Sequence, residues 1–237
     1  MKTEALVNEC LETLHGLADP ARKESILRYF RTDQQVLGVR NPDFQLVSRQ
    51  LRQMEHLREA DARFWIDFAR ELVARNVFEA QVLAYDLLGR DRRLLDHLQP
   101  EDLPGLERGL DNWASVDTYG VVIHGVLWSK GTVSDERIRQ LLSGEDVWKV
   151  RLAVVSTVPL NQASRGGTGD AGRTLWVCGS VVDDHRDMVQ KALSWALRVL
   201  SKREKGLVAA FLESHEDRLA ARVKREVRHK LDFGTKN

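Results

Sequence analysis

Five residues of this 237-residue chain combine types and spacing that can do chemistry: Trp113, Asp117, Arg151, Lys191 and Trp195. Trp113 and Asp117 stand four apart, as do Lys191 and Trp195, so on helices each pair shares one face a single turn apart. Arg151 follows Trp148 by three residues, also within one turn. A guanidinium there can grip phosphate oxygens through two N–H groups, or neutralise Asp117. Asp117 is the sharpest of the five. A carboxylate buried without a partner costs on the order of several kcal/mol, so Asp117 is a helix cap, half of a structural ion pair, or a functional group. Its residue type leaves all three open.

The elements that must carry these residues repeat. Phe78-Glu-Ala-Gln-Val-Leu-Ala-Tyr85, Trp113-Ala-Ser-Val-Asp-Thr-Tyr-Gly120, Trp148-Lys-Val-Arg-Leu-Ala-Val-Val155 and Met188-Val-Gln-Lys-Ala-Leu-Ser-Trp195 each begin on a large apolar residue, at intervals of 35, 35 and 40. A period of this size marks stacked helical hairpins, each burying its apolar stripe on its neighbours. It predicts an all-α solenoid whose equivalent positions line one concave face. The four leading residues then read as packing anchors, Trp148 most clearly. At the Asp117 position the other repeats carry Val82, Leu152 and Ala192, where packing favours an aliphatic. The Arg151 position holds Gln81, Val116 and Lys191 elsewhere, which predicts a semi-exposed site on the groove. Gly120, the equivalent of Trp195, removes a side chain and is expected to open room for a ligand.

Helical signals run through the rest of the chain. Val7, Cys10, Leu11 and Leu14 form a stripe ended by Gly16, and Asp19-Pro20 opens a helix whose Ile26, Leu27, Tyr29 and Phe30 are expected to face inward. Leu37 to Pro42 is a loop before the next helix. The Gly-rich stretch Asn161 to Gly172 predicts a flexible inter-repeat loop, and it accounts for the longer last interval. It lacks the Gly-x-x-x-x-Gly-Lys pattern of a phosphate cradle. Residues 233–237 are expected to fray, and 1–237 to form a single repeat domain.

Composition narrows the function classes. Apolar residues make up 43% and charged residues 30%, with a net charge of +1, so the global balance names no anionic partner. Between Arg186 and Lys230, however, twelve Lys or Arg face six Asp or Glu, a basic end on a neutral protein. Cys10 and Cys178 are far apart in apolar surroundings, which predicts reduced thiols and a reducing compartment. There is no apolar run of membrane-spanning length, no signal-peptide core and no ligand spacing for a metal. A monomeric cytoplasmic protein, with no membrane or metal partner and no cofactor, is expected.

Three stretches together resemble a known family. Asn112-Trp-Ala-Ser-Val-Asp117, Val147-Trp-Lys-Val-Arg151 and Val189-Gln-Lys-Ala-Leu-Ser-Trp-Ala-Leu-Arg198 look like the signatures of the AlkD-like DNA alkylation repair glycosylases, HEAT-like repeat proteins that remove alkylated purines. Leu37-Gly-Val-Arg-Asn-Pro42 is similar to the family's early loop, and the likeness covers nearly the whole chain. It implies that Asp117 is the catalytic carboxylate, that Trp113 and Trp195 are the two cleft tryptophans, and that Arg151 contacts the DNA backbone. Asn112 departs from the pattern, since the family often has a second aromatic there. The Gly-rich loop departs too, being longer than the family's.

The implied partner is duplex DNA carrying alkylated purines such as 3-methyladenine or 7-methylguanine, which would associate the protein with the nucleoid. A purine alkylated at N3 or N7 is cationic and can leave neutral, while positive charge builds on the deoxyribose. A carboxylate beside C1′ stabilises that charge, and two indoles add about 1–2 kcal/mol each if desolvated. Arg151, Lys191, Arg198 and Lys202 would hold phosphates. No lysine lies in the Asp117 motif, which argues for a monofunctional glycosylase, with Lys191 the one residue against it. The rival is a helical-repeat scaffold that binds DNA or protein without catalysis.

Overall fold

The computed structural model describes residues 3–54 and 60–235. The chain is all-α, 72% helical, and among the described residues the β pairing is limited to one isolated bridge between Gln35 and Val77. The single repeat domain of the sequence analysis corresponds to two compact units, residues 1–119 and 120–237. No helix of the described residues is long and apolar enough to cross a membrane.

The first unit begins with α1 (Thr3–Gly16), whose Leu6, Val7, Cys10 and Leu14 form a buried stripe at helical spacing. Burial pushes the Cys10 thiol up to about 12, with Glu9 adding to the effect. Helix α2 (Pro20–Tyr29) starts as expected, with Asp19 accepting from the Arg22 amide. It buries none of its side chains. The inward face foreseen for it is therefore absent, and Leu27 and Tyr29 are exposed. Its ends hold it instead. The Asp19 amide donates to Leu37 O at 3.1 Å, and Asp19 pairs with Arg40 at 3.3 Å. Gly38, at φ +83°, lies so close that a Cβ would stand 2.3 Å from Asp19 O.

The Leu37 to Val39 loop is in turn gripped from the core. The buried Glu79 carboxylate accepts the amides of Leu37, Gly38 and Val39 at 2.9, 2.7 and 3.3 Å, so an acid within an apolar helix has its oxygens satisfied. Helices α3 (Asn41–Gln53), α4 (Ala62–Ala74) and α5 (Phe78–Arg90) build the core of this unit. Trp65, Ile66, Phe68, Leu72 and Val73 of α4 pack toward α1 and α5. After the short helices α6 (Arg92–His97) and α7 (Leu103–Leu106), the unit closes with α8 (Trp113–Tyr119) lying on α5.

The second unit opens with a π-helical turn, Gly120–His124, then α9 (Gly125–Lys130), α10 (Asp135–Leu142) and α11 (Val147–Val155). Gly120 does not make room for a ligand. A Cβ there would lie 2.9 Å from Val155 Cγ1 and 3.3 Å from Leu152 Cδ1, so the missing side chain lets α11 pack close. His124 is fully buried, its Nδ1 2.8 Å from Ser156 Oγ. Burial, reinforced by Arg137, pushes its pKa down to about 3.

Helices α12 (Ala171–Ser180), α13 (Asp187–Leu200), α14 (Lys205–Ser214) and α15 (Ala221–Phe233) complete this unit, with α11, α13 and α15 packed in succession. The Gly-rich segment, expected to be a flexible loop, is tied down. It carries two 3-10 turns, Pro159–Asn161 and Ala163–Arg165, and its end is the first turn of α12. The buried Asn161 side chain bonds Thr157 O, Thr174 Oγ1 and the Asp170 amide. The Arg203 guanidinium donates to the carbonyls of Asn161, Gly167 and Thr168 at 2.9, 3.0 and 3.3 Å. Of the tail expected to fray, Phe233 ends α15 with its ring largely exposed, while Lys236 and Asn237 lie outside the described residues.

Candidate functional site

Asn112 sets where α8 begins. Its Oδ1 accepts the Ser115 amide at 3.0 Å, the N-cap geometry that satisfies a donor left free at a helix start. Trp113 is then the first helical residue and Asp117 the fifth, one turn on. With Asn112 as the cap, Asp117 is not one. Both Trp113 and Asp117 are half-buried, and their spacing puts them on one helix face. Behind them Val116 and Tyr119 are fully buried, and Tyr119 packs on Tyr85 with centroids 5.2 Å apart.

The Trp113 ring has aromatic company that the sequence analysis placed elsewhere. Tyr29, 75% exposed, meets it edge-on at 5.5 Å. Phe30 meets it edge-on at 6.0 Å and touches Phe78 at 5.2 Å. Edge-to-face pairs of this kind attract through the ring quadrupoles. The aromatic pair at the end of α2 is thus spent on Trp113 rather than on the core. The usable signal is two adjacent rings closing a helix that has no continuous apolar stripe.

The remaining candidates lie in the second unit. Arg151 is only 5% exposed, not semi-exposed, because the start of α13 covers it and its guanidinium donates to Met188 O. Trp148, foreseen as a buried anchor, is half-buried. So are Phe78, Trp113 and Met188, and the whole leading column of the repeats therefore sits at the border of core and solvent. On α13, Lys191 is exposed and pairs with Asp187 at 2.7 Å. The Asp187 carboxyl is held below its usual range by Lys191 first, then Arg222.

Trp195, a turn later, is half-buried. Arg198 is packed rather than presented. Its side chain is 13% exposed, its Nε donates to Ser194 Oγ at 3.2 Å and its guanidinium lies 3.7 Å from Glu226. Burial lowers its pKa against the pull of Glu226. Lys202, just beyond α13, is exposed. The first unit carries one half-buried indole, Trp113, and the second carries Trp148, Trp176 and Trp195. The first adds a carboxylate, and the second adds a buried guanidinium with exposed lysines.

A carboxylate and an indole on one helix face, as in the first unit, can stabilise a developing cation, and exposed lysines such as those of the second can hold an anion. No metal cluster is found among the described residues. The family model described as "DNA alkylation repair enzyme" matches residues 10–231. No curated protein matches the chain. Its fold is similar to that of a solved structure described as a predicted DNA alkylation repair enzyme from Enterococcus faecalis, at a TM-score of 0.68. That likeness covers 91% of this chain and 97% of that one, at 17% identity. At so low an identity it is a likeness of fold.

Proposed function

The chain belongs to the DNA alkylation repair enzyme family, and on that premise we propose that it is a monofunctional DNA glycosylase. It hydrolyses the N-glycosidic bond of cationic N3- or N7-alkylated purines in duplex DNA. One observation carries this reading. Asp117 is a half-buried acid one turn from a half-buried indole, at a repeat position whose other residues are the aliphatics Val82, half-buried, and Leu152 and Ala192, buried.

As the C1′–N bond breaks, its electron pair leaves with the alkylated base, which departs neutral, and positive charge develops on the sugar. Asp117 lowers the energy of that charge and orients the water that adds to C1′, giving an abasic site and the free base. The indole face of Trp113, one turn before Asp117 on the same helix, attracts the same cation. A normal purine would leave as an anion, so the leaving group supplies much of the selectivity.

The test is single-turnover release of 7-methylguanine from a methylated duplex. Asp117→Asn keeps the size and removes the charge. It should retain duplex binding while base release falls at least tenfold, about 1.4 kcal/mol of barrier or more. Release at the parent rate would leave the non-catalytic scaffold as the better description.

A further inference from the structure

The start of α8 rests on a buried polar network. Asn112 is fully buried and every polar atom of its side chain is used. Its Oδ1 caps Ser115 at 3.0 Å, while its Nδ2 donates to Asp111 Oδ1 at 3.0 Å and to Gln34 Oε1 at 3.4 Å. Gln34 Nε2 donates to Gln81 Oε1 at 2.7 Å, and Gln81 Nε2 to Arg108 O at 2.7 Å. Arg108 leads through Gly109 back to Asp111, so the three amides and this short stretch of backbone close a ring. Gln34 and Gln81 are buried as well. On the far side, Asp111 accepts Thr32 Oγ1 at 2.7 Å and the Asp33 amide at 2.6 Å.

The ring therefore fixes two things at once. It sets the first residue of α8, hence the depth and rotation of Trp113 and Asp117. It also anchors the segment directly after Tyr29 and Phe30, the two rings that flank Trp113. A network this large is needed for neither helix alone, since a serine could cap α8 as well as asparagine does.

We infer that Asn112, through the Asp111 and Gln34–Gln81 links, is a positioning residue for Asp117 in the reaction. This rests on the glycosylase reading given above.

Asn112→Ser keeps the capping oxygen and removes both amide donations. Thr32→Val, nearly isosteric, breaks the link to Asp111 from the far side. Each is compared with the parent and in an Asp117→Asn background, by single-turnover base release and by duplex binding. Asn112→Ser should slow base release five- to tenfold at unchanged duplex Kd, and Thr32→Val two- to threefold. Both losses should shrink below 1.5-fold once Asp117 is already Asn, because residues acting through one group are not additive.

Base release at the parent rate in Asn112→Ser, or an equal fold-loss in both backgrounds, would overturn the assignment. If Asn112→Ser does not fold, Thr32→Val alone decides by the same criterion. A parent-rate Asp117→Asn would remove the glycosylase reading and the positioning role together. A slow Asp117→Asn beside a parent-rate Asn112→Ser would remove only the positioning role.

Discussion

Trp113 and Trp195 are both half-buried, yet they should respond differently to truncation. Trp113 meets Tyr29 and Phe30 edge-on, and pairs of this kind contribute about 0.5–1.5 kcal/mol each beyond burial. Trp113→Ala is expected to lower stability by about 1–3 kcal/mol as well as slowing base release. Trp195→Ala should slow base release at least tenfold with a smaller drop in melting temperature. Melts of the two variants beside their excision rates check this, and a loss of about 3–5 kcal/mol at Trp195 would reassign it to the core. Asp117 could be singled out in the sequence because a carboxylate interrupts a column otherwise made of Val82, Leu152 and Ala192. The exposure of Arg151 could not be read there, since it depends on the Met188 carbonyl of another helix. In the repeat column of Arg151, Gln81, Val116 and Arg151 itself are buried and Lys191 is exposed.

Among the elements, α2 and the π-helical turn make separate demands. Helix α2 buries no side chain and depends on its tethers. Gly38→Ala should then be costly, by more than about 1 kcal/mol. It would force an L side chain into a positive-φ site and set a Cβ 2.3 Å from Asp19 O. Because α2 delivers Tyr29 to Trp113, base release should fall with stability. Rescue of either by a second glycine nearby is not expected.

The π-helical turn predicts a pH dependence. His124 is held neutral by burial, then by Arg137, with its pKa near 3. The unfolded chain therefore binds a proton that the folded chain does not between about pH 6.5 and that value. Stability from this group is complete above about pH 6.5 and is lost as pH falls, by up to about 1.4 kcal/mol per pH unit. Urea melts of the parent and of His124→Gln across pH 4–7.5 check the sign, since the variant should show a shallower slope. The helix around His124 was foreseeable from apolar spacing. The helical turn that buries the imidazole was not, because one inserted residue in the backbone hydrogen-bond pattern has no compositional mark.

Across the whole chain, the cations sort by how they are packed. Lys202 and Lys191 are exposed, whereas Arg198 is half-buried and packed on Ser194 and Glu226. If Lys202 contacts a phosphate, Lys202→Ala should weaken binding to any duplex alike and reduce the salt slope by about one unit. Arg198→Ala should mainly destabilise, because it removes a packed side chain and one of the two cations beside Glu226, leaving Ser194 Oγ and Arg222 as its partners. Titrations against unmodified duplex at several salt concentrations, beside melts, separate the two. A slope change in Arg198→Ala at unchanged stability would return it to the phosphate-binding set. The all-α repeat was legible in the 35-residue spacing of four apolar leaders, because stacking demands it. The partner of Arg198 was not, since Glu226 is supplied by a helix outside the recurring motifs.

The carbonyl fork at Arg203 bears on how this chain tolerates extra length. Loop closure grows only logarithmically with size, about 0.6 kcal/mol per doubling. The five residues that lengthen the last repeat interval from 35 to 40 therefore exact little by themselves. The real penalty of a Gly-rich insertion is its conformational freedom and its unpaired carbonyls. One guanidinium reaching three carbonyls from beyond α13 removes much of both. Shortening the insertion should thus gain almost no stability, while Arg203→Ala should release it to proteolytic nicking after Arg165. The residue that makes the insertion permissible lies outside it.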